Sequence, residues 1–164
     1  MKELFFSNRS RLLKKKSPLG FIVFACFLLL FCASSFAGKA EFFQCPASPN
    51  CVSTEVSASD LKHYVKPFQT IDGSEETWVK IKKTVLSMPR TKIIKEDKYY
   101  LKAKVKSAVF RFVDDLDIWF SPETKTLSIK SASNVGYSDL GVNRKRVAEL
   151  RRLLTEQDVL LAEQ

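Results

Sequence analysis

The first part of the chain passes from a charged segment to a long apolar one. Lys14 to Lys16 form a cationic cluster, an uncharged apolar run over 19–33 follows, and small residues occupy 34–37. This order is typical of a secretory signal peptide cut after Ala37. The run from 19 to Ala37 has 19 residues, which is also long enough for an uncleaved membrane anchor.

Both interpretations predict the same orientation. The cationic cluster stays on the cytoplasmic side, so the chain after residue 38 faces outward. We therefore expect an exported protein, either periplasmic or anchored in the inner membrane and facing the periplasm. The predicted organisation is a signal peptide or anchor at 1–37, a tether and Cys-Pro loop at 38–59, and a single α+β domain at 60–164.

Two later segments have the spacing of amphipathic helices. The first begins at Asp72-Gly73-Ser74 and ends before Pro89, and the second begins near Asn143. Each places its apolar residues on one face. These residues are Trp78, Ile81, Val85 and Met88 in the first segment, and Val147, Leu150 and Leu154 in the second.

Between the helices the pattern changes to alternation, which predicts three or four strands. In 99–107, for example, apolar residues at 101, 103 and 105 alternate with lysines. The short turns between successive strands favour antiparallel pairing. The remainder reads as loop at 45–59, where Pro, Ser and Asn are frequent, and as extended chain at 64–68.

The predicted fold class is therefore α+β. It has an antiparallel sheet of about four strands with two helices packed on one face, and a signal or anchor helix precedes it.

The net charge depends strongly on the leader. The whole chain has 27 Lys and Arg against 18 Asp and Glu, a formal net charge of +9. Residues 1–37 hold six of the basic residues and one of the acidic ones, which leaves about +4 for 38–164. That excess is too small to argue for nucleic acid, and it suits a domain near anionic envelope surfaces.

Cys45 and Cys51 are separated by five intervening residues in a loop bent by Pro46 and Pro49. Outside the cytoplasm such a pair normally oxidises, so we expect a Cys45–Cys51 disulfide that contributes roughly 2 kcal/mol. A redox thiol and a metal site of Cys45, Cys51 and His63 are the alternatives, although the spacing is not C-x-x-C. The prediction is a disulfide, with no metal and no cofactor.

Five segments are distinctive in composition. They are C-P-A-S-P-N-C-V from Cys45, D-L-K-H-Y-V-K-P-F from Asp60, M-P-R-T from Met88, F-R-F-V-D-D from Phe110 and S-A-S-N-V-G-Y-S-D-L-G-V-N-R from Ser131. Together they resemble an uncharacterised bacterial and plant family, domain-of-unknown-function family 1499, over nearly all of 45–154. The chain departs from it at Asn134, where the family more often has Arg. The resemblance implies no activity.

The polar segment 131–144 is the main candidate for a binding site. It contains Gly136 and Gly141 and runs directly into the last helix, whose first amide groups attract anions. We expect a small acidic or phosphorylated molecule there. The predicted ligand-binding residues are Ser131, Ser133, Ser138, Asp139, Asn143 and Arg144, joined by Arg90 of the M-P-R segment.

The same side chains have a structural alternative. Ser138, Asp139 and Asn143 are also the residue types that cap helices, and Asp139 would then hold Arg144 or Arg146 in place.

Asp114, Asp115 and Asp117 form an acidic cluster. Asp115 and Asp117 share one strand face, whereas Asp114 points to the other. With Arg144 and His63 these carboxylates would suit a hydrolase or transferase. A turn or bulge at Asp114-Asp115 and a packed, hydrogen-bonded His63 are the structural alternatives, and no catalytic residue is assigned.

The function predicted from the sequence is that of an exported envelope protein, a non-catalytic ligand- or partner-binding domain that uses the 131–144 loop. Its partner would be a small anionic ligand or an envelope protein, with membrane contact through an uncleaved N-terminal segment and no nucleic acid. The hydrolase or transferase stays as the alternative, so whether the chain is an enzyme is open. The lysine stripe at 102, 104 and 106 would be solvated or face lipid head groups. Lipid handling between sheet and helices would require a long dry cavity.

Overall fold

Six strands and two helices, in the order ββαββββα, make up the described part of the chain. The computed structural model describes residues 43–107 and 112–162. The predicted leader lies outside the described residues, and no helix within them is long and apolar enough to cross a membrane. The elements are β1 (Cys51–Ser53), β2 (Phe68–Gln69), α1 (Glu75–Ser87), β3 (Thr91–Asp97), β4 (Tyr100–Lys106), β5 (Val113–Ser121), β6 (Thr126–Ser133) and α2 (Val142–Glu156).

The strands form one antiparallel sheet in the order β1-β6-β5-β4-β3, and β2 also pairs with β6. Strands β3 to β6 are neighbours in both chain and sheet, because short turns can join only antiparallel partners. Strand β6 also pairs with β1 and β2, which are distant from it in the sequence. Cys51 lies opposite Ala132, and Phe68 lies opposite Leu127.

The core lies between one sheet face and the two helices. Leu101, Ala103 and Val105 of β4 are buried, whereas the alternating lysines are more exposed. Helix α1 contributes Trp78, whose ring stacks on that of Phe120 at 6.0 Å between centroids. The apolar residues predicted for the two helix faces all belong to this core. Their burial is the main stabilising contribution of the fold.

The α+β class, the antiparallel sheet and the two helices are confirmed, but the predicted number of about four strands is wrong. Two short strands raise the number to six, and one of them, Cys51–Ser53, lies inside the predicted loop at 45–59. A strand of two or three residues is too short to show alternation, so only its distant partner β6 reveals it. The predicted turn or bulge at Asp114-Asp115 is also wrong, since β5 runs unbroken through both residues.

Helix α1 begins in a polar cap. The Ser74 hydroxyl accepts a hydrogen bond from the Thr77 amide at 3.1 Å. The Asp72 carboxylate accepts from the Ser74 amide at 2.8 Å and from the Thr77 hydroxyl at 2.7 Å. These hydrogen bonds to Ser74 and Thr77 lower the pKa of Asp72 from 3.8 to about 2. The ionised carboxylate therefore supports the start of the helix.

The cap at Asp72 predicts a specific loss of stability in acid. Because the pKa of Asp72 is lower in the folded state, its contribution is complete above about pH 4 and is lost as the pH falls towards 2. We expect the free energy of unfolding of the native protein to decrease more steeply over this range than that of Asp72→Asn, as measured by urea denaturation. Equal slopes for the two proteins would contradict the expectation.

Candidate functional site

A buried hydrogen-bond network holds the loop between β6 and α2, residues 134–141, against the sheet. The Asn143 side chain donates to the Asn50 carbonyl and to the Ser133 hydroxyl, both at 2.9 Å. Its oxygen accepts from the Ser131 hydroxyl at 2.7 Å and also from Arg146. Since buried polar groups are costly when unpaired, a fully bonded network of this kind specifies one arrangement of the loop.

Arg146 continues the network to strand β5. Its guanidinium donates to the Ser131 hydroxyl at 2.8 Å and to the Asp114 carboxylate at 2.5 Å. The side chains of this ion pair are only 6% and 4% exposed. Asp114 therefore points towards α2 and has a structural partner, which explains how an aspartate can occupy the interior face of a central strand.

Arg144, a predicted ligand-binding residue, is bonded to the main chain of an earlier loop. Its guanidinium donates to the carbonyls of Tyr64 at 2.8 Å, Lys62 at 3.0 Å and Leu61 at 3.3 Å. These bonds fasten the 61–64 segment to the first turn of α2. They leave less of the guanidinium for a bidentate contact with a ligand than the sequence suggested.

Asp139 occupies the start of α2. Its carboxylate accepts from the amides of Gly141 at 3.0 Å and Asn143 at 2.6 Å, and the Ser138 hydroxyl accepts from the Leu140 amide at 3.4 Å. Asp139 therefore bonds the first amides of α2, as the capping alternative expected. The expected contact of Asp139 with Arg144 or Arg146 is wrong, because Arg144 donates to main-chain carbonyls and Arg146 donates to Asp114. The two amides that Asp139 bonds are not open to an external anion, contrary to the expectation from the sequence.

The cysteine loop is attached directly to this region. The sulfur atoms of Cys45 and Cys51 lie 2.08 Å apart, in agreement with the predicted disulfide. Next to the bridge, the Asn50 side chain donates to the Gly136 carbonyl at 2.5 Å, and the Asn50 carbonyl accepts from the Ser133 amide at 2.9 Å. The disulfide loop and the β6–α2 loop therefore position one another.

His63 is buried and hydrogen-bonded at both ring nitrogens. Nδ1 lies 2.7 Å from the Asp60 carboxylate and Nε2 lies 3.1 Å from the Ser48 carbonyl. The hydrogen bond from His63 lowers the pKa of Asp60. No group of three or more His, Cys, Asp or Glu side chains that could hold a metal ion occurs within 43–107 and 112–162. The arrangement fits the packed, structural histidine.

Asp115 and Asp117 lie on the outer sheet face, away from Asp114. Asp115 contacts both Lys102, at 2.8 Å, and Lys104, whereas the Asp117 carboxylate accepts from the Tyr100 hydroxyl at 2.7 Å. Burial raises the pKa of Asp117. Burial opposes ionisation of Asp115 too, but hydrogen bonds from the two lysines hold its pKa below the usual value.

These pairs have two consequences for the sequence-based hypotheses. Two lysines of the predicted stripe, Lys102 and Lys104, pair with Asp115, and Lys102 also lies 4.0 Å from Asp117, instead of forming an open cationic surface. Within the described residues, no hydrogen bond or ion pair joins the acidic cluster to Arg144 or His63. The proposed catalytic combination is therefore distributed over separate networks.

A cleft of about 610 Å³ opens where the M-P-R turn, the end of β4 and the start of α2 meet the β6–α2 loop. We call it the Arg90 cleft. Arg90, Ser138 and Asp139 line it, so three of the predicted ligand-binding residues come together here. Ser131, Ser133 and Asn143 lie in the buried network instead, and Arg144 lines a different cleft of about 380 Å³.

Several residues of the Arg90 cleft were not predicted from the sequence. They are the cations Lys106 and Lys145 and the apolar residues Phe112, Leu140 and Val142. A signal existed for two of them. Val142 and Lys145 are three residues apart at the start of α2, so helical spacing places them on one face. Nothing in the sequence connects that face to Phe112, which lies at the start of β5.

The Arg90 cleft has an excess of positive charge. Arg90 donates from Nε to the Lys106 carbonyl at 3.1 Å, and its terminal nitrogens meet no acceptor within the described residues. The side chains of Lys106 and Lys145 likewise lack an ion pair with any described residue. The acidic residues of the lining are engaged elsewhere, since Asp139 caps α2 and Glu149 pairs with Arg152 at 2.7 Å.

Two residues of the cleft lining adopt a left-handed backbone conformation. Arg90 has φ 57° and Leu140 has φ 53°, and the other non-glycine residues described with positive φ are Lys125 and Asp158. This conformation costs roughly 1–2 kcal/mol for a residue with a Cβ atom. Such strain concentrates at ligand-binding and switch regions, so its occurrence twice in one cleft marks the cleft as the best candidate site.

The fold and these sites place the protein in the α+β class, as a domain with one sheet and a polar loop held by the disulfide loop. Residues 41–154 match the family described as protein of unknown function (DUF1499), and the chain belongs to that family. The match includes the disulfide, the Asn143 network and the Arg90 cleft, and it confirms the resemblance noted in the sequence. Comparison with curated proteins and with solved structures gave no match.

The buried ion pair predicts an asymmetric response to mutation. Replacing Arg146 by Met leaves Asp114 charged and unpaired in the interior, and we expect a loss of about 3–5 kcal/mol in the free energy of unfolding. The double variant Arg146→Met/Asp114→Leu should lose less than the single one. Arg152→Met is the matched control, because Arg152 also forms ion pairs on α2 but is half exposed. A single variant as stable as this control would contradict the prediction.

Proposed function

We propose that the chain is an exported, non-catalytic domain of the cell envelope that binds a small anionic ligand in the Arg90 cleft. The observation that carries the proposal is that Arg90, Lys106 and Lys145 all line one cleft whose carboxylates are bonded to other groups. Three cations around a partly enclosed space favour an acidic or phosphorylated group.

The left-handed conformation of Arg90 supports the same proposal. The turn after Pro89 gives this residue φ 57°, and it places the guanidinium Nε beside the Lys106 carbonyl. The rest of the guanidinium is then directed by a fixed hydrogen bond and not by a flexible stem alone. A preorganised donor loses less conformational entropy when a ligand binds.

A binding role fits the described residues better than catalysis does. His63 and Asp60 are bonded to each other, Asp114 is bonded to Arg146, and Asp115 is bonded to lysines. A general acid or base must reach a substrate proton, and none of these groups lines the Arg90 cleft. The hydrolase or transferase alternative gains no specific observation in its favour.

Two features support export. The sequence order of cationic, apolar and small residues at 14–37 is that of a leader. A Cys45–Cys51 disulfide suits an oxidising compartment, because structural disulfides persist mainly there. In the cytoplasm both cysteines would stay reduced as thiols. The leader would leave the protein in the periplasm if it is cut, or attached to the inner membrane if it is not.

The proposed anion site predicts which cations matter. With inorganic phosphate and succinate as probes, we expect measurable binding to the exported protein by calorimetry. Arg90→Ala and Lys145→Ala should each weaken it about tenfold, because each removes a charge-assisted hydrogen bond. Lys83→Ala is the matched control, since Lys83 is an exposed helical lysine outside the cleft. Equal affinities for all four proteins would contradict the proposal.

Export and disulfide formation are tested together. Protein expressed from the full chain is alkylated during cell lysis, and its mass is then measured without and with reduction. We expect Cys45 and Cys51 to be unlabelled before reduction and labelled after it. If the same protein is made without residues 2–37, the cytoplasm should keep both cysteines reduced. The labels are located by peptide mass, because an uncleaved leader would add Cys26 and Cys32. Labels on Cys45 and Cys51 themselves in the unreduced, full-chain sample would refute the bridge and the oxidising compartment proposed from it.

A further inference from the structure

We infer that the anion bound in the Arg90 cleft carries an aliphatic chain, so that the ligand is an amphiphile with an acidic head group. The inference rests on the proposed function, because it names the ligand class of the same cleft. Fatty acids and monoacyl phosphates share this chemistry, and so do the acyl chain and head group of an anionic membrane lipid.

The Arg90 cleft has an exposed apolar surface. Phe112 is 52% exposed, Leu140 88% and Val142 38%, and all three line the cleft beside the cations. Beneath them Met88 and Val105 are buried and form an apolar floor. Phosphate or a short dicarboxylate would bond the cations and leave this surface in water. An aliphatic chain would cover it, which is favourable in proportion to the apolar area removed from water.

Leu140 combines a strained backbone with an exposed side chain. Its backbone has φ 53°, where glycine would be unstrained, and yet its side chain is almost entirely exposed. The fold therefore bears the cost of a left-handed leucine and gains almost no buried area from it. Leu140 is held in this position from both sides, since its amide bonds to Ser138 and the next amide, that of Gly141, bonds to Asp139. An apolar ligand over Leu140 explains why an exposed leucine stands here.

The cationic and the apolar residues line the same cleft. The Lys106 amide donates to the Arg90 carbonyl, the Arg90 Nε donates to the Lys106 carbonyl, and Lys145 lines the cleft from α2. The exposed apolar side chains lie within the same lining. A cleft of about 610 Å³ is within the usual size of a small-molecule site, which is roughly 300–1,000 Å³. A head group beside the cations would leave its chain on the apolar surface.

A chain-length series tests the inference on the full-length protein recovered in its exported form. The probes are acetate, octanoate, decanoate and laurate as monomers, with inorganic phosphate as the head-group control. We expect the affinity to rise two- to fourfold for each added methylene from octanoate to laurate. If phosphate and acetate bind as tightly as laurate, the amphiphile inference is wrong and the anion site stands. If no probe binds, both proposals fail.

Leu140→Gly separates ligand binding from folding. Glycine relieves the left-handed strain, so the urea midpoint of the variant should be unchanged or higher, while its affinity for decanoate falls about tenfold. Leu161→Ala is the control, because Leu161 is half exposed and lies outside the cleft lining. A variant that is destabilised but binds decanoate normally would show that Leu140 serves the fold alone and would overturn the inference.

Vesicles distinguish the source of the amphiphile. Sedimentation is measured with phosphatidylcholine vesicles containing phosphatidylglycerol, for the native protein and for Leu140→Gly. Vesicle binding that decanoate competes for and that Leu140→Gly loses would support the inference with a bilayer lipid as the source. Binding of monomers without binding of vesicles would support it with a free amphiphile. Vesicle binding that is insensitive to both decanoate and Leu140→Gly would place lipid contact outside the cleft and count against the inference.

Discussion

The side-chain amide of Asn143 joins the start of α2 to the end of β6 and to the cysteine loop, which lies 93 residues earlier in the chain. Its nitrogen donates to the main chain of the cysteine loop at Asn50 and to Ser133 at the end of β6, while its oxygen accepts from Ser131. An amide can do this because it offers two donors and an acceptor in a small planar group. Any apolar replacement would remove these bonds and leave the Asn50 carbonyl with only the Ser133 amide and the Ser131 hydroxyl with only Arg146. The position of the β6–α2 loop, and with it one wall of the Arg90 cleft, depends on this residue.

The polar segment after β6 consequently divides into two layers with different tasks. The lower layer is formed by the buried Ser131 and Asn143 and the half-buried Ser133, which are bonded within the fold. The upper layer, which includes Ser138 and Leu140, faces the Arg90 cleft. A rigid support under an exposed rim is the arrangement that preorganises a binding site, because the supporting groups do not have to be ordered when the ligand arrives. A single run of polar residues in the sequence therefore contains both the scaffold and part of the site.

Local sequence patterns were sufficient to predict the two helices and the meander of β3 to β6. Contacts between residues distant in the sequence could not be predicted from such patterns. Helical spacing located α1 and α2, and alternation located β4, because each pattern is set by a face that must be buried. Strand β1 escaped prediction since its partner, Ala132 opposite Cys51, is some eighty residues away. For the site, the sequence suggested that Arg90 meets the β6–α2 loop, and the cleft lining agrees. It could not show that Arg144 donates to main-chain carbonyls, because a sequence shows a donor but not the acceptor that the fold brings to it.

The pairing of β6 has a consequence for the order in which the chain is assembled. Strands β3 to β6 can zip together as successive hairpins, each closing a short loop soon after its second strand is available. Strands β1 and β2 have no such neighbour and must wait until β6 has been synthesised and paired with β5. The amino-terminal quarter of the domain can therefore complete its pairing only after most of the sheet is available. The sheet is completed when β6, near the carboxyl end of the chain, pairs with β1 and β2 near the amino end.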